Sequence, residues 1–247
     1  MRPFVFAHRG ASGYEIENTI PSFKRAISMG AGIETDLQIT KDSKLICFHD
    51  SYIERKREYF SINSLNYDEI LNIKFKDERK IPLIEEVFQL FMDKLGKLRY
   101  CFDIANRKVG LELLNLAQKY SLLNTIEITD RRLAVLSHLR EKNGDVKLIY
   151  TLPENTKSFI SQSLNVERLK RLDISKVNLQ CTKFVKENFK AIVDNDLKCY
   201  IWGVNTKMNM KRVLKLRYRD QGVEAIYTDY PDTLTNLIMK YFKKDNN

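Results

Sequence analysis

The sequence is sparing with residues that punctuate or crosslink a chain: nine glycines, five prolines and four cysteines among 247 residues, with three histidines and a single tryptophan. So little glycine and proline excludes collagen-like, low-complexity and linker-rich architectures. The cysteines, at 47, 101, 181 and 199, show neither CxxC nor Cys/His metal spacing. Three of them sit in apolar, strand-like runs and read as buried free thiols, which points to a reducing compartment. No hydrophobic run approaches the roughly 20 residues that cross a bilayer. The apolar start from Pro3 to Ala7 is too short for a secretory leader, so the expectation is a cytoplasmic protein with no stable membrane insertion.

What is present describes a soluble globular chain: 43% hydrophobic, 11% aromatic and 30% charged residues, with mean hydropathy -0.39. The length fits one compact domain, read as spanning 1–247, with oligomeric state left open. Lysine and arginine, 42 against 32 acidic residues, leave +10 at neutral pH and favour encounter with anions. The densest basic stretch, Lys207, Lys211, Arg212, Lys215, Arg217 and Arg219, reads as spread round a helix with no aromatic platform, which argues against a nucleic-acid partner.

Apolar runs of strand length recur at Pro3–Ala7, Gly32–Ile39, Leu98–Ile104, Thr125–Thr129, Val146–Thr151, Ile174–Leu179, Lys198–Val204 and Glu224–Thr228. Segments with apolar residues every three or four positions lie between them: Thr19–Met29, Leu83–Leu95, Gly110–Tyr120, Leu133–Lys142, Phe184–Val193, Lys207–Leu216 and Leu234–Phe242. Periods that switch in this way build parallel sheets through crossover helices. Eight repeats in this length predict an α/β fold, a closed (β/α)8 TIM barrel. One excursion breaks the pattern: after the second strand come Leu45–Asp50, a charged stretch from Glu54 to Glu58, a short helix around Tyr67–Ile73 and basic residues to Lys80. This insertion, about 50–80, reads as functional because long excursions are uncommon in compact domains.

Catalytic groups of such barrels sit at the carboxyl ends of strands. Those ends carry His8 and Arg9 on strand one, Glu34, Asp36 and Gln38 on strand two and Asp103 on strand three, while His49 comes from the insertion. Strand alternation puts Glu34 and Asp36 on one side. Their repulsion calls for a cation, and with Asp103 they form a set of hard oxygen ligands suited to magnesium, calcium or manganese. Ion pairing of the two carboxylates to Arg9 and another base is the structural alternative, as a satisfied core histidine is for His8. Histidine suits acid–base work near neutrality and arginine suits a phosphoryl group. His138, in a helical segment without polar neighbours, is assigned no function.

The ordered set His8-Arg9-Gly10-Ala11-Ser12-Gly13, Glu17-Asn18-Thr19, Ser22-Phe23, Gly30-Ala31, Ile33-Glu34, Asp36, Thr40-Lys41-Asp42 and His49-Asp50 resembles the N-terminal signature of the glycerophosphodiester phosphodiesterase family. The resemblance continues through Ile81–Val87, Trp202-Gly203-Val204-Asn205 and Tyr227–Asp232. It implies a TIM barrel that uses a divalent cation, Ca2+ or Mg2+, to hydrolyse small-molecule glycerophosphodiesters to glycerol 3-phosphate and an alcohol. By the same resemblance His8 and His49 are the acid–base pair, Glu34 and Asp36 bind metal, and Arg9, Glu17 and Trp202 belong to the substrate and phosphate site. Glu17 and Asn18 would hold His8 and Arg9 in place, Asn18 also capping the first helix. The family pattern further implies that a substrate hydroxyl attacks phosphorus to give a cyclic phosphate. Two departures stand out: the family's glutamate and lysine on strand three are Asp103 and Ala105, and its glycine-containing turn is Ile53–Glu58. Arg55, Lys56 or Arg57 is the candidate substitute for that lysine, with a merely solvated charge run as the alternative. A lysophospholipase D-like hydrolase and a catalytically impaired phosphate-binding barrel are the alternatives.

Overall fold

A computed structural model describes residues 2–55, 57–90, 99–159 and 163–243. Eight parallel strands form the barrel: β1 (Phe4–Ala7), β2 (Gly32–Ile39), β3 (Tyr100–Ile104), β4 (Ile126–Asp130), β5 (Lys147–Thr151), β6 (Lys176–Gln180), β7 (Lys198–Trp202) and β8 (Ala225–Thr228). Each strand pairs with its sequence neighbours, and β1 pairs with both β8 and β2, closing the ring. The expected (β/α)8 TIM barrel is therefore the fold. The start of the third expected strand, Leu98, lies outside the described residues.

Helices cover the outside: α1 (Ile20–Ser28), α2 (Ile84–Gln89), α3 (Arg107–Lys119), α4 (Leu133–Lys142), α5 (Ser163–Arg171), α6 (Val185–Asp194), α7 (Lys207–Leu214) and α8 (Pro231–Lys243). The α3 helix illustrates the local logic. Asn106 caps it by accepting from Val109 N at 3.1 Å. Val109, Gly110, Leu113, Leu114 and Ala117, three or four apart, form its buried stripe. Gly110 lets the helix lie on the sheet, since a Cβ there would stand 2.8 Å from Ile104 Cδ1. Each large side chain in that stripe contributes about 1.5–3 kcal/mol by leaving water.

Three expectations on the helices need correction. The α5 helix is absent from the expected set, because its described core contacts are only Val166 and Leu169, too few to make a visible stripe. The basic stretch does not ride one helix: α7 ends at Leu214, and Arg217 begins a small antiparallel hairpin in which Arg217 pairs with Gly222. The first helix is capped by Thr19, not Asn18, in a reciprocal arrangement with Ser22. Residues 91–95 of the expected Leu83–Leu95 helix lie outside the described residues.

The insertion opens with Leu45–Cys47, antiparallel to β2, then a hairpin (Tyr52–Arg55 with Glu58–Ser61) and a short helix, Tyr67–Leu71. Ile46, Phe48, Ile53, Ile62, Leu65, Ile70 and Ile81 pack together beneath it. Inside the barrel Phe6, Cys101, Ile149, Tyr200, Ala225 and Tyr227 fill the centre. Toward the amino end the buried Glu127 accepts two bonds from Arg99 at 2.9 Å and one from Tyr200 at 3.2 Å, and pairs with Lys176.

Candidate active site

Register around the ring decides which side chains share the mouth. Asp36 lies beside Asp103, Asp103 beside Thr129, Thr151 beside Asn178, and Asn178 beside Tyr200. Alternation then sends Glu34, Asp36, Asp103, Thr129, Thr151, Asn178 and Trp202 inward together. They line one cavity of about 360 Å3 at the carboxyl face, with His8, Arg9, Gln38, His49, Asp130, Arg131 and Arg132. Of the sequence-assigned residues, His8, His49, Arg9, Trp202, Glu34, Asp36 and Asp103 meet there; Glu17 stands behind Arg9 and is not in the lining.

A tight turn after β1 delivers His8 and Arg9. Arg9 and Gly10 both adopt the left-handed region, φ 55° and 78°, and a Cβ at Gly10 would stand 2.3 Å from Ser22 Oγ. Glycine is required there by space as well as by conformation. The Arg9 guanidinium is held from two sides, donating to Glu17 Oε2 at 3.0 Å and lying 3.0 Å from Asp36 Oδ2 through Nε. That second contact has ion-pair distance but lies off the hydrogen-bonding direction. Part of the ion-pairing alternative is thus realised, between Arg9 and Asp36. Asn18, buried, donates to Asp36 Oδ2 at 2.9 Å and accepts from Thr35 at 2.6 Å, so it fixes the carboxylate directly.

The charge balance is strained toward negative. Glu34, 5% exposed, accepts from Arg9 N at 3.0 Å. Burial first and Asp36 second push its carboxyl up to about 7, against the opposing pull of His8 and Arg9. Asp103 is also held well above the usual carboxylate range by burial, then by Asp36, Glu34 and Asp130. Among the described residues, no group of three or more His, Cys, Asp or Glu already stands in a metal-holding arrangement. The donor chemistry nevertheless fits a hard cation, because the crowding of Glu34 and Asp103 by neighbouring carboxylates would be relieved by a positive charge between them.

The histidines differ in surroundings. His8 Nδ1 lies 2.9 Å from Asp229 Oδ1, and Asp229 is anchored by Asn205, whose Oδ1 accepts from Asp229 N at 2.9 Å. Burial works against the charged imidazole, but the Asp229 hydrogen bond and Glu34 outweigh it, leaving the His8 pKa above its ordinary value. His49 sits at the rim, 49% exposed, with Nδ1 2.8 Å from Asp50 Oδ1. Gln38 holds its carbonyl at 3.0 Å, and Phe48 N donates to Asp36 O at 3.0 Å, keeping the insertion against β2.

The sequence alone gives no role to Asp229, Asn205, Thr129, Asn178, Arg131 or Arg132. Polar residues at inward positions of apolar runs were the available signal for Thr129 and Asn178; nothing local marked Asp229 as the partner of a histidine 221 residues earlier. Of the expected basic donors from the insertion, Arg57 is exposed and outside the cavity lining. Lys56 and the Arg55 side chain lie outside the described residues. The arginines in the lining come instead from the end of β4 and the turn after β1. Cys47, Cys101 and Cys199 are buried and Cys181 half-buried, all as free thiols.

The model of the glycerophosphoryl diester phosphodiesterase family matches residues 8–233. A glycerophosphodiester phosphodiesterase of Caldanaerobacter subterraneus is 31% identical over 97% of this chain and 99% of its own length. A human lysophospholipase D is 21% identical, covering 95% of this chain and 86% of that protein. Among solved structures, the glycerophosphodiester phosphodiesterase of Thermotoga maritima superposes with TM-score 0.76 at 21% identity, over 96% and 99% of the two chains. An Oleispira antarctica phosphodiesterase in complex with its product sn-glycerol-3-phosphate gives 0.79 at 19% identity, over 96% and 97%.

Proposed function

The chain belongs to the glycerophosphoryl diester phosphodiesterase family, whose members are phosphoric diester hydrolases, and from that premise we propose that it releases glycerol 3-phosphate and an alcohol from glycerophosphodiesters. The observation that carries the reading is the convergence of His8, Arg9, His49 and three carboxylates on one cavity. Glu34, Asp36 and Asp103 would hold a divalent cation, Ca2+ or Mg2+, and the bound ion would supply positive charge to the phosphoryl oxygens.

The chain's own groups divide the work. Arg9, fixed by Glu17 and Asp36, presents its guanidinium to the phosphate. His49, at the open rim, takes the proton from the glycerol hydroxyl that attacks phosphorus. His8, favoured in its charged form by Asp229, gives a proton to the departing alkoxide oxygen as its bond to phosphorus breaks. Water then opens the cyclic phosphate with the two roles reversed. No enzyme nucleophile is needed, because the attacking oxygen belongs to the substrate. The free thiols support a reducing, cytoplasmic setting, and among the described residues no helix is long and apolar enough to cross a membrane.

The test is glycerol 3-phosphate release from several headgroups, with and without chelator. The lysophospholipase D relatives favour a second reading, lysophospholipid hydrolysis, and lysophosphatidylcholine belongs in the same assay. Turnover of neither substrate class would leave only a phosphate-binding barrel.

A further inference from the structure

Charge accounting in the cavity singles out one arginine. The lining holds the carboxylates of Glu34, Asp36, Asp103, Asp130 and Glu154, and the arginines Arg9, Arg131 and Arg132. A phosphodiester adds another negative charge, so it matters which cation has donors to spare. Arg9 is engaged by Glu17 and Asp36. Arg132 is engaged more fully: its Nε is 2.9 Å from Asp130 Oδ1, and one terminal nitrogen is 2.6 Å from Asp130 Oδ2 and 3.0 Å from the Ile104 carbonyl. Arg131 has no hydrogen bond or ion pair among the described residues, and its side chain is exposed.

Its backbone, by contrast, is well held. Asp130 Oδ1 accepts from Arg132 N at 2.7 Å, an Asx turn that has Arg131 at its centre and leads into α4. The Arg132 bond to the Ile104 carbonyl ties this turn to the end of β3, next to Ala105, which carries no charge. A cation on a pinned turn at the cavity wall, with no side-chain donor engaged among the described residues, is placed to meet an anion with little ordering cost.

We propose that Arg131 is a second phosphate-binding residue, which engages the substrate's phosphoryl group from the β4 side while Arg9 does so from the β1 side. This deepens the phosphodiesterase reading and rests on it. The engaged group is the one that every substrate of the class shares, so the effect of Arg131 is independent of headgroup.

The test compares Arg131→Gln and Arg131→Lys with the unmodified protein on glycerophosphocholine, glycerophosphoethanolamine and glycerophosphoserine. Arg57→Gln, in the exposed hairpin turn, serves as comparator. Losing a charged hydrogen bond should lower kcat/KM by about 10- to 100-fold in Arg131→Gln, to a similar extent on all three substrates, with partial recovery in Arg131→Lys. Unchanged kinetics would overturn the proposal, as would a loss confined to the serine headgroup, which alone carries an extra carboxylate. Calorimetric binding of glycerol 3-phosphate provides a readout that needs no turnover. If the unmodified protein hydrolyses none of the substrates, the phosphodiesterase reading fails, and the Arg131 proposal is still decided: weaker binding in Arg131→Gln sustains it and equal binding refutes it.

Discussion

His8 and Asp229, 221 residues apart in the chain, meet at 2.9 Å across the β1–β8 seam. His8 N also donates to Thr228 O at 3.0 Å, so backbone pairing sets the distance between the two side chains. The contact raises the pKa of His8 and, although burial opposes it, lowers that of Asp229. Asp229→Asn should therefore lower the His8 pKa. With His8 as the proton donor, the alkaline limb of the kcat/KM profile should move to lower pH, with a loss of about 10- to 100-fold near neutrality. Stability has a definite sign too. A raised His8 pKa stabilises fully below the ordinary histidine value and loses its effect as pH rises through the folded-state pKa. A lowered Asp229 pKa stabilises above the ordinary carboxylate value and loses its effect as pH falls through the folded one. The pair should thus help most between about pH 4 and 6.5, and melting curves of Asp229→Asn against pH would show no such gain if the contact were idle.

Removal of divalent cations offers a second test. Chelator should abolish turnover and lower the melting temperature together, with calcium or magnesium restoring both. In chelated protein Asp103→Asn should raise the melting temperature, because it removes one of the mutually repelling carboxylates, while cutting turnover at least about 100-fold. A fall in stability of that variant in chelator would mean that Asp103 is not repelled by its neighbours.

The histidines can be separated by truncation. His8→Ala and His49→Ala should each lose about 10²- to 10⁴-fold in turnover, the usual cost of a positioned acid or base. His138, on α4 with Glu141 3.7 Å away and outside the cavity lining, should tolerate alanine. Loss of turnover in His138→Ala with the other two unaffected would reverse the assignment.

At the other end of the barrel, Glu127→Ala should destabilise by about 3 kcal/mol, because it strands Arg99 and Lys176 without their carboxylate. Denaturant melts would register that change. KM for a glycerophosphodiester should move little, since Glu127 is not in the cavity lining.

The chain alone determined the alternation of apolar runs and amphipathic segments, because strand and helix periods follow from local geometry and need no partner. That was enough for the barrel and for the side on which Glu34 and Asp36 fall, and the structure brings His8, Arg9 and His49 to the same cavity. It was not enough for α5, where Val166 and Leu169 are the only described core contacts, nor for the basic stretch after Lys207, which leaves its helix at Leu214. Closure of the ring decided the rest. Pairing of β1 with β8 brings Asp229 to His8, and the neighbouring register of β2, β3 and β4 sets Asp36 beside Asp103 and Asp103 beside Thr129. The turn after β4 then leaves Arg131 open while Asp130 and Ile104 hold Arg132. Which charges end as partners and which stay free depends on residues distant in sequence, and only the closed sheet brings them within a few ångströms of one another.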